Sequence, residues 1–217
     1  MIIREKKKNL KLNEAQRQII IGLLLGDGHL ETLNNGRTYR LKVEYSSKQK
    51  EYLYWLWKYF KEWTGSPPKD KEKILPSGTI VRSIYFTTYS HGAFRFYGHQ
   101  FYSQEKKKTI PKNIHKLITP LSLAIWFMDD GSWKSNKHRT YIIHTDGYCK
   151  KDLISIQNAL KTRFGIEVLL HRQYKNWRIY VKTSSAKKFR EIIEKYILPS
   201  MRYKLGNICL KSNGGVY

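Results

Sequence analysis

Apolar side chains follow two alternating rhythms in this chain, and each rhythm occurs twice. "NEAQRQIIIGLLLG" begins with Asn13, followed three residues on by Gln16, and then becomes almost wholly apolar. That is a capping-box start and predicts a helix through Gly26. "TYRLKVEYS" then sets Leu41 and Val43 against Arg40, Lys42 and Glu44, the period of a half-buried strand. "KEYLYWLWKYFKEW" returns to helical spacing, and its aromatic stripe reads as core. "KEKILPSGTIVRSIYFTT" reads as a hairpin, with a further helix after it. The remainder keeps this order. Thr119 and Pro120 supply an N-cap and a proline at the first helical position. In "VLLHRQYKNWRIYVKT" a hairpin places Ile179 and Val181 on one face and Arg178, Tyr180 and Lys182 on the other. The prediction is αββαββα, twice.

Four blocks of similar residues support the duplication. "KVEYSSKQKEYL" precedes "IIHTDGYCKKDL" by 100 positions, and Gly65 and Gly165, each ending a helix-like segment, keep that offset. "SIYFTTYSHGAFRF" precedes "RIYVKTSSAKKFRE" by 95, and "IIGLLLGDG" precedes "LAIWFMDDG" by 103. Chance supplies one such match, hardly all four in one order. The expected fold class is α+β: two pseudo-symmetric halves, residues 1–104 and 120–217, with antiparallel sheets and a basic linker over 105–119.

Charge then changes the picture. Among 217 residues, 41 Lys+Arg against 17 Asp+Glu give +24, with an isoelectric point near 9.9. Self-repulsion of that size points to a polyanionic partner, nucleic acid first. An anionic membrane surface fits less well, because the basic residues are spread along the chain. The longest apolar run, Ile19 to Leu25, is too short to span a bilayer, and "MIIREKKKNLK" has no apolar signal region. Cys149 and Cys209 lack zinc-like spacing and read as reduced thiols. Abundant Lys, Ile and Tyr with scarce Ala fit an A+T-rich coding genome, such as that of a mitochondrion or chloroplast. A β-ribbon rises about 3.3 Å per residue, close to the roughly 3.4 Å per base pair of duplex DNA, so polar sheet faces can track a major groove. The candidates for that contact are Arg40, Lys42, Arg82, Tyr85, Lys134, Arg139, Arg172, Tyr174, Lys175, Arg178, Tyr180 and Lys182.

The chemistry is expected at the two acidic helix ends. Asp27 and Asp130 occupy equivalent positions, each before a glycine, where a helix end carries partial negative charge. Two carboxylates brought to one junction would disfavour joint ionisation, and a divalent cation relieves that penalty. Gly22 and Gly26 would allow close helix approach; their counterparts, Ile125 and Asp129, would not.

With "IIGLLLGDG" and "LAIWFMDDG", together with "KKKTIPKNI", "TPLSLAIWFMDDG" and "YILPSMRYKLGNI", the chain resembles the LAGLIDADG homing endonucleases of the single-chain, two-motif, omega-type intron-encoded branch. The resemblance implies motif helices between the halves and sheets that saddle double-stranded DNA. It implies catalytic metals, magnesium or manganese in its place, on Asp27 and Asp130, with Gly26 and Asp129 beside them in the metal-binding set. It also implies a basic residue near each scissile phosphate, matched by Lys108 and Lys204. A lysine with a pKa near about 10.4 makes a poor general base, so a charge-stabilising role fits better. Glu44 and His144, equivalent on the outward strand face, would arrange active-site water, and their difference implies unequal sites. His91 and His99 make no metal-spaced cluster. The implied activity is site-specific double-strand cleavage by a monomer, serving intron mobility. The alternative is an RNA splicing cofactor (maturase) acting on group I intron RNA.

Overall fold

Capping chemistry opens the first long helix. The computed structural model describes residues 9–206, and the chain divides into two units, Met1–Pro111 and Lys112–Tyr217. In the first unit the Asn13 side chain accepts from the Gln16 N–H at 2.9 Å, and the Gln16 side chain accepts from the Asn13 N–H at 2.9 Å. These bonds satisfy donors that a helix start otherwise leaves open. The helix α1 (Glu14–Leu25) follows, then β1 (His29–Glu31), β2 (Arg40–Ser46), α2 (Lys50–Phe60), β3 (Lys69–Ile74), β4 (Ile80–Thr87) and α3 (Arg95–Phe101). The antiparallel sheet has the order β1-β2-β4-β3. Strand alternation buries Leu41, Val43, Tyr45, Ile84 and Phe86 on the face that α2 covers. Phe60 stacks on Phe86 there, ring centroids 6.2 Å apart. Every residue of α1 from Ile19 to Leu25 is buried. Gly98 is required for packing, because a Cβ there would lie 2.3 Å from the Tyr39 ring.

The second unit opens with a short helix, α4 (Ile114–Leu117), and then repeats the pattern: α5 (Pro120–Asp130), β5 (Gly131–Trp133), β6 (Tyr141–His144), α6 (Lys150–Phe164), β7 (Val168–Gln173), β8 (Asn176–Val181) and α7 (Thr183–Ile193). Thr119 and Ser122 form the capping box of α5. The sheet order is β5-β6-β8-β7, again antiparallel. Its core centres on Phe127, Tyr141 and Phe189, whose ring centroids lie 5.1–5.5 Å apart. Gly165 ends α6 in the left-handed conformation (φ 62°), whereas Gly65 follows a 3-10 turn, Lys61–Trp63, and has no positive φ. The segment 105–119 contains the division between units, and its Ile110, Ile114 and Ile118 are buried. Cys149 is an exposed thiol at the start of α6; Cys209 lies outside the described residues.

Strand pairing corrects one detail of the repeat. Val43 opposes Phe86 in the first sheet and Ile143 opposes Ile179 in the second. Phe86 and Ile179 are therefore equivalent, and the block "SIYFTTYSHGAFRF" is offset by 93 residues, not 95. Tyr85 then matches Arg178, and Thr87 matches Tyr180. The hairpins also differ in length. Lys71↔Ser83 corresponds to Gln173↔Asn176, where the second hairpin turns, but the first continues through Glu72↔Arg82, Lys73↔Val81 and Ile74↔Ile80.

Phe189→Ala should lower unfolding stability by about 3–5 kcal/mol, the usual cost of emptying a buried aromatic site. Urea unfolding followed by tryptophan fluorescence measures this directly.

Candidate active site and nucleic-acid face

Neither motif helix has a basic residue in its own last turn. Each receives one from a distant part of its unit. Lys108 Nζ donates to the Gly26 carbonyl at 2.5 Å, and Lys204 Nζ donates to the carbonyls of Met128 at 2.5 Å and Asp129 at 3.0 Å. Ammonium groups at these carbonyls offset the partial negative charge of a helix C-terminus and make a following carboxylate tolerable. Lys108 belongs to a backbone bridge with Tyr102, whose hydroxyl accepts from the Leu30 N–H at 2.9 Å. Lys204 sits in the 3-10 segment Pro199–Leu205, where the Tyr141 hydroxyl donates to the Leu205 carbonyl at 3.1 Å. Burial pushes both phenols up to about 12, so they remain protonated.

The two aspartates differ locally. The first helix ends at Leu25 and is capped by Gly26, leaving Asp27 exposed in the following turn. The second continues two residues further, so Asp130 is its last residue, half-buried, with Oδ2 accepting from the Trp126 indole N–H at 3.2 Å. Leu23 is the corresponding residue in the first unit and can make no such bond.

Glu44 and His144 face outward from their sheets. Partial burial pushes the Glu44 carboxyl up, but hydrogen bonds from Ser83 (2.7 Å) and Lys71 (3.1 Å), with the charges of Lys71 and Lys42, hold it below the usual carboxylate range. His144 lies 3.2 Å from the Ser132 hydroxyl, and burial, then the Arg178 charge and more weakly that of Lys204, lower its pKa against an opposing pull from Asp146.

Register assigns the basic candidates to faces. In the first sheet Arg40, Lys42 and Tyr85 share the outward face with Glu31 and Glu44, and Arg40 is paired with Glu31 at 2.7 Å. In the second, Arg178 and Tyr180 are outward. Lys134 lies just beyond β5, its ammonium 4.9 Å from the Tyr180 ring centroid. Lys182 follows β8 and pairs with Glu167 at 2.8 Å. Tyr174 and Lys175 form the exposed β7–β8 turn, and Arg139 lies in the exposed loop between β5 and β6. Arg82 and Arg172 are the exceptions. They share the face of Ile84 and Trp177 respectively, beyond the helix-covered part of each sheet, and Arg82 pairs with Glu72 at 2.7 Å. His91 caps the turn at Ala93, and His99 meets Tyr39 edge to face, so both serve the fold.

Among the described residues no cluster of three or more His, Cys, Asp or Glu could enclose a metal. The donors at each helix end, Asp27 in one unit and the adjacent Asp129 and Asp130 in the other, are all oxygens and too few to enclose an ion, a set that fits a hard cation which keeps waters and accepts substrate oxygens.

A family model described as the LAGLIDADG DNA endonuclease family matches residues 17–189. The chain belongs to this family. Similar proteins align along most of it. DNA endonuclease I-ChuI of Chlamydomonas applanata is 29% identical over 212 residues, covering 91% of this chain and 97% of that protein. Cytochrome b mRNA maturase bI2 of Saccharomyces cerevisiae is 30% identical over 218 residues, covering 90% of this chain and 48% of that one. The solved structure of the homing endonuclease I-WcaI bound to its DNA recognition sequence matches with a TM-score of 0.87 and 30% identity, covering 94% of this chain and 92% of that chain.

Sequence reasoning missed Trp126, Ser132, Tyr102 and Tyr141. Trp126 stands four residues before Asp130, a helical spacing that signals the contact. The tyrosine ties cross 64 or more residues and leave no local trace.

The lowered His144 pKa has a definite sign. Below the ordinary value of 6.5 the unfolded chain binds this proton more readily than the folded one, so stability falls on acidification until the folded group protonates as well. Lys204→Met should move the His144 titration upward in NMR, and should cost about 1–2 kcal/mol of stability through the uncapped helix. An unmoved titration would mean that His144 does not feel the ammonium.

Proposed function

We propose that this chain is a site-specific, divalent-metal-dependent DNA endonuclease. It hydrolyses one phosphodiester in each strand of a long asymmetric duplex site and thereby promotes intron mobility. The observation that carries this reading is the doubled helix end: in each unit an aspartate stands at or just past the end of an apolar motif helix, where a lysine ammonium holds terminal carbonyls. An apolar helix would end more stably without the acid, so the carboxylate is there for chemistry.

Asp27 and Asp130 would hold magnesium, with manganese as a substitute, and the Gly26 and Asp129 backbones lie beside them. The cation, when bound, supplies Lewis acidity to a phosphate oxygen and a more acidic water. Lys108 and Lys204 keep the helix ends in place and stabilise charge developing on the phosphate. Glu44, held ionised by Ser83 and Lys71, accepts hydrogen bonds from water on its side; His144, whose protonation is disfavoured by burial and then by the Arg178 charge, both donates and accepts on the other. The +24 charge and the polar outward strands support double-stranded DNA as partner, bound by a monomer. Lysine- and isoleucine-rich composition supports an organellar setting.

A maturase role on group I intron RNA is the second reading, favoured by the relative of that name. Retention of an acidic residue at both motif ends favours cleavage.

The deciding assay uses a plasmid carrying the uninterrupted host-gene sequence. Linear product should appear with magnesium and vanish with EDTA; binding without cutting would overturn the reading. Asp27→Asn or Asp130→Asn should abolish linearisation while duplex binding in gel shifts persists. A variant that linearises at the parent rate would remove that residue from the metal site. Affinity should fall by orders of magnitude between 50 and 200 mM salt, as expected when about 6–10 phosphates are contacted.

A further inference from the structure

The outward faces of the two sheets differ in chemistry at equivalent positions. In the second sheet, register aligns Ser132, Ile142, Tyr180 and Leu169 in one row across β5, β6, β8 and β7. Its equivalents in the first sheet are His29, Lys42 and Thr87. One row is apolar at its centre; the other centres on Lys42, whose ammonium lies 3.8 Å from Glu31 and 3.7 Å from Glu44, so it is polar and charged. Leu169 is 45% exposed, on the face opposite to buried Val168, Ile143, Ile179 and Val181. Exposed leucine beside tyrosine and isoleucine costs solvation free energy unless something covers it.

Two cations, Lys134 and Arg178, border this row, together with the His171 ring. The Lys134 ammonium lies 4.9 Å from the Tyr180 centroid, and the His171 ring lies 4.6 Å from it. The next row is His144, Arg178 and His171, in which the Arg178 Nε is buried with no hydrogen-bond partner among the described residues. The row after that is Gln173 with Asn176. An apolar strip bordered by cations and amides complements a polyanion that also presents methyl groups. Duplex DNA does so in the major groove, where thymine carries the C5 methyl. Successive outward rows lie about 6.6 Å apart, or roughly two base pairs.

We propose that Ile142, Leu169 and Tyr180 read thymine methyl groups in the half-site facing Lys112–Tyr217, while the first sheet reads its half-site through charge and hydrogen bonds. This rests on the DNA-binding reading above.

The test begins with duplexes selected by the intact protein from a randomised library. The consensus is then resynthesised with deoxyuridine replacing thymine in one half at a time, which removes only the methyl. Substitution in one half should weaken binding about fourfold per contacted thymine, the worth of one buried methyl, and substitution in the other should change little. Leu169→Ala should shrink that penalty, whereas Lys42→Ala should leave it intact and reduce the salt dependence. The inference is overturned if neither half selects thymine, if deoxyuridine costs nothing in either half, or if the penalty survives in Leu169→Ala unchanged. It is equally overturned if Leu169→Ala alters the oligomeric state and not the base preference, since the face would then serve a second copy of this chain. Failure to enrich any duplex at all would instead sink the DNA-binding reading itself.

Discussion

Two ammonium groups seated on helix-terminal carbonyls hold the ends of the motif helices in place. Lys108 reaches back 82 residues to Gly26, and Lys204 reaches back 76 and 75 residues to Met128 and Asp129. Both contacts are tertiary, so neither helix end is complete until the last segment of its own unit has docked. Tyrosine hydroxyls fix those segments, one through the Leu30 backbone and the other through the Leu205 carbonyl. The acid is thus placed by the closure of a whole unit, and a loosened terminal segment would be felt at the aspartate.

Around this shared plan the units diverge. Asp130 is steadied by an indole that Asp27 lacks, and it belongs to the helix instead of the turn after it. Glu44 places a carboxylate on the outward face of one sheet where His144 places an imidazole on the other. Gly26 lets the first helix finish where Asp129 carries the second onward. Each difference is a local substitution on an unchanged frame, which is why the repeat is still visible at the level of strand order.

Much of that frame was readable in the chain itself. Capping residues announced both motif helices, because a helix start must satisfy open N–H groups and few side chains do so. Alternation at Leu41 and Val43, or at Ile179 and Val181, gave the buried faces correctly. The two-residue error in the block beginning at Ser83 has a physical origin: side chains alternate with period two, so a slip by two preserves every inward and outward assignment. Arg82 and Arg172 were harder, since both faces of a hairpin are exposed near its tip and burial gives no phase there. The lysine caps could not be foreseen as caps, because a contact across more than seventy residues leaves no spacing to read. Composition and charge pointed to a nucleic-acid partner, but which side chains share a row emerged only from strand pairing.

Duplication within one chain carries a further consequence. In an assembly of two identical short subunits, every replacement appears twice, and a change that suits one end of a site is imposed on the other. Here Lys42 and Ile142 occupy the same place on separate stretches of sequence, so each mutates alone. The protein can follow a drifting target one end at a time, while the other end keeps it anchored.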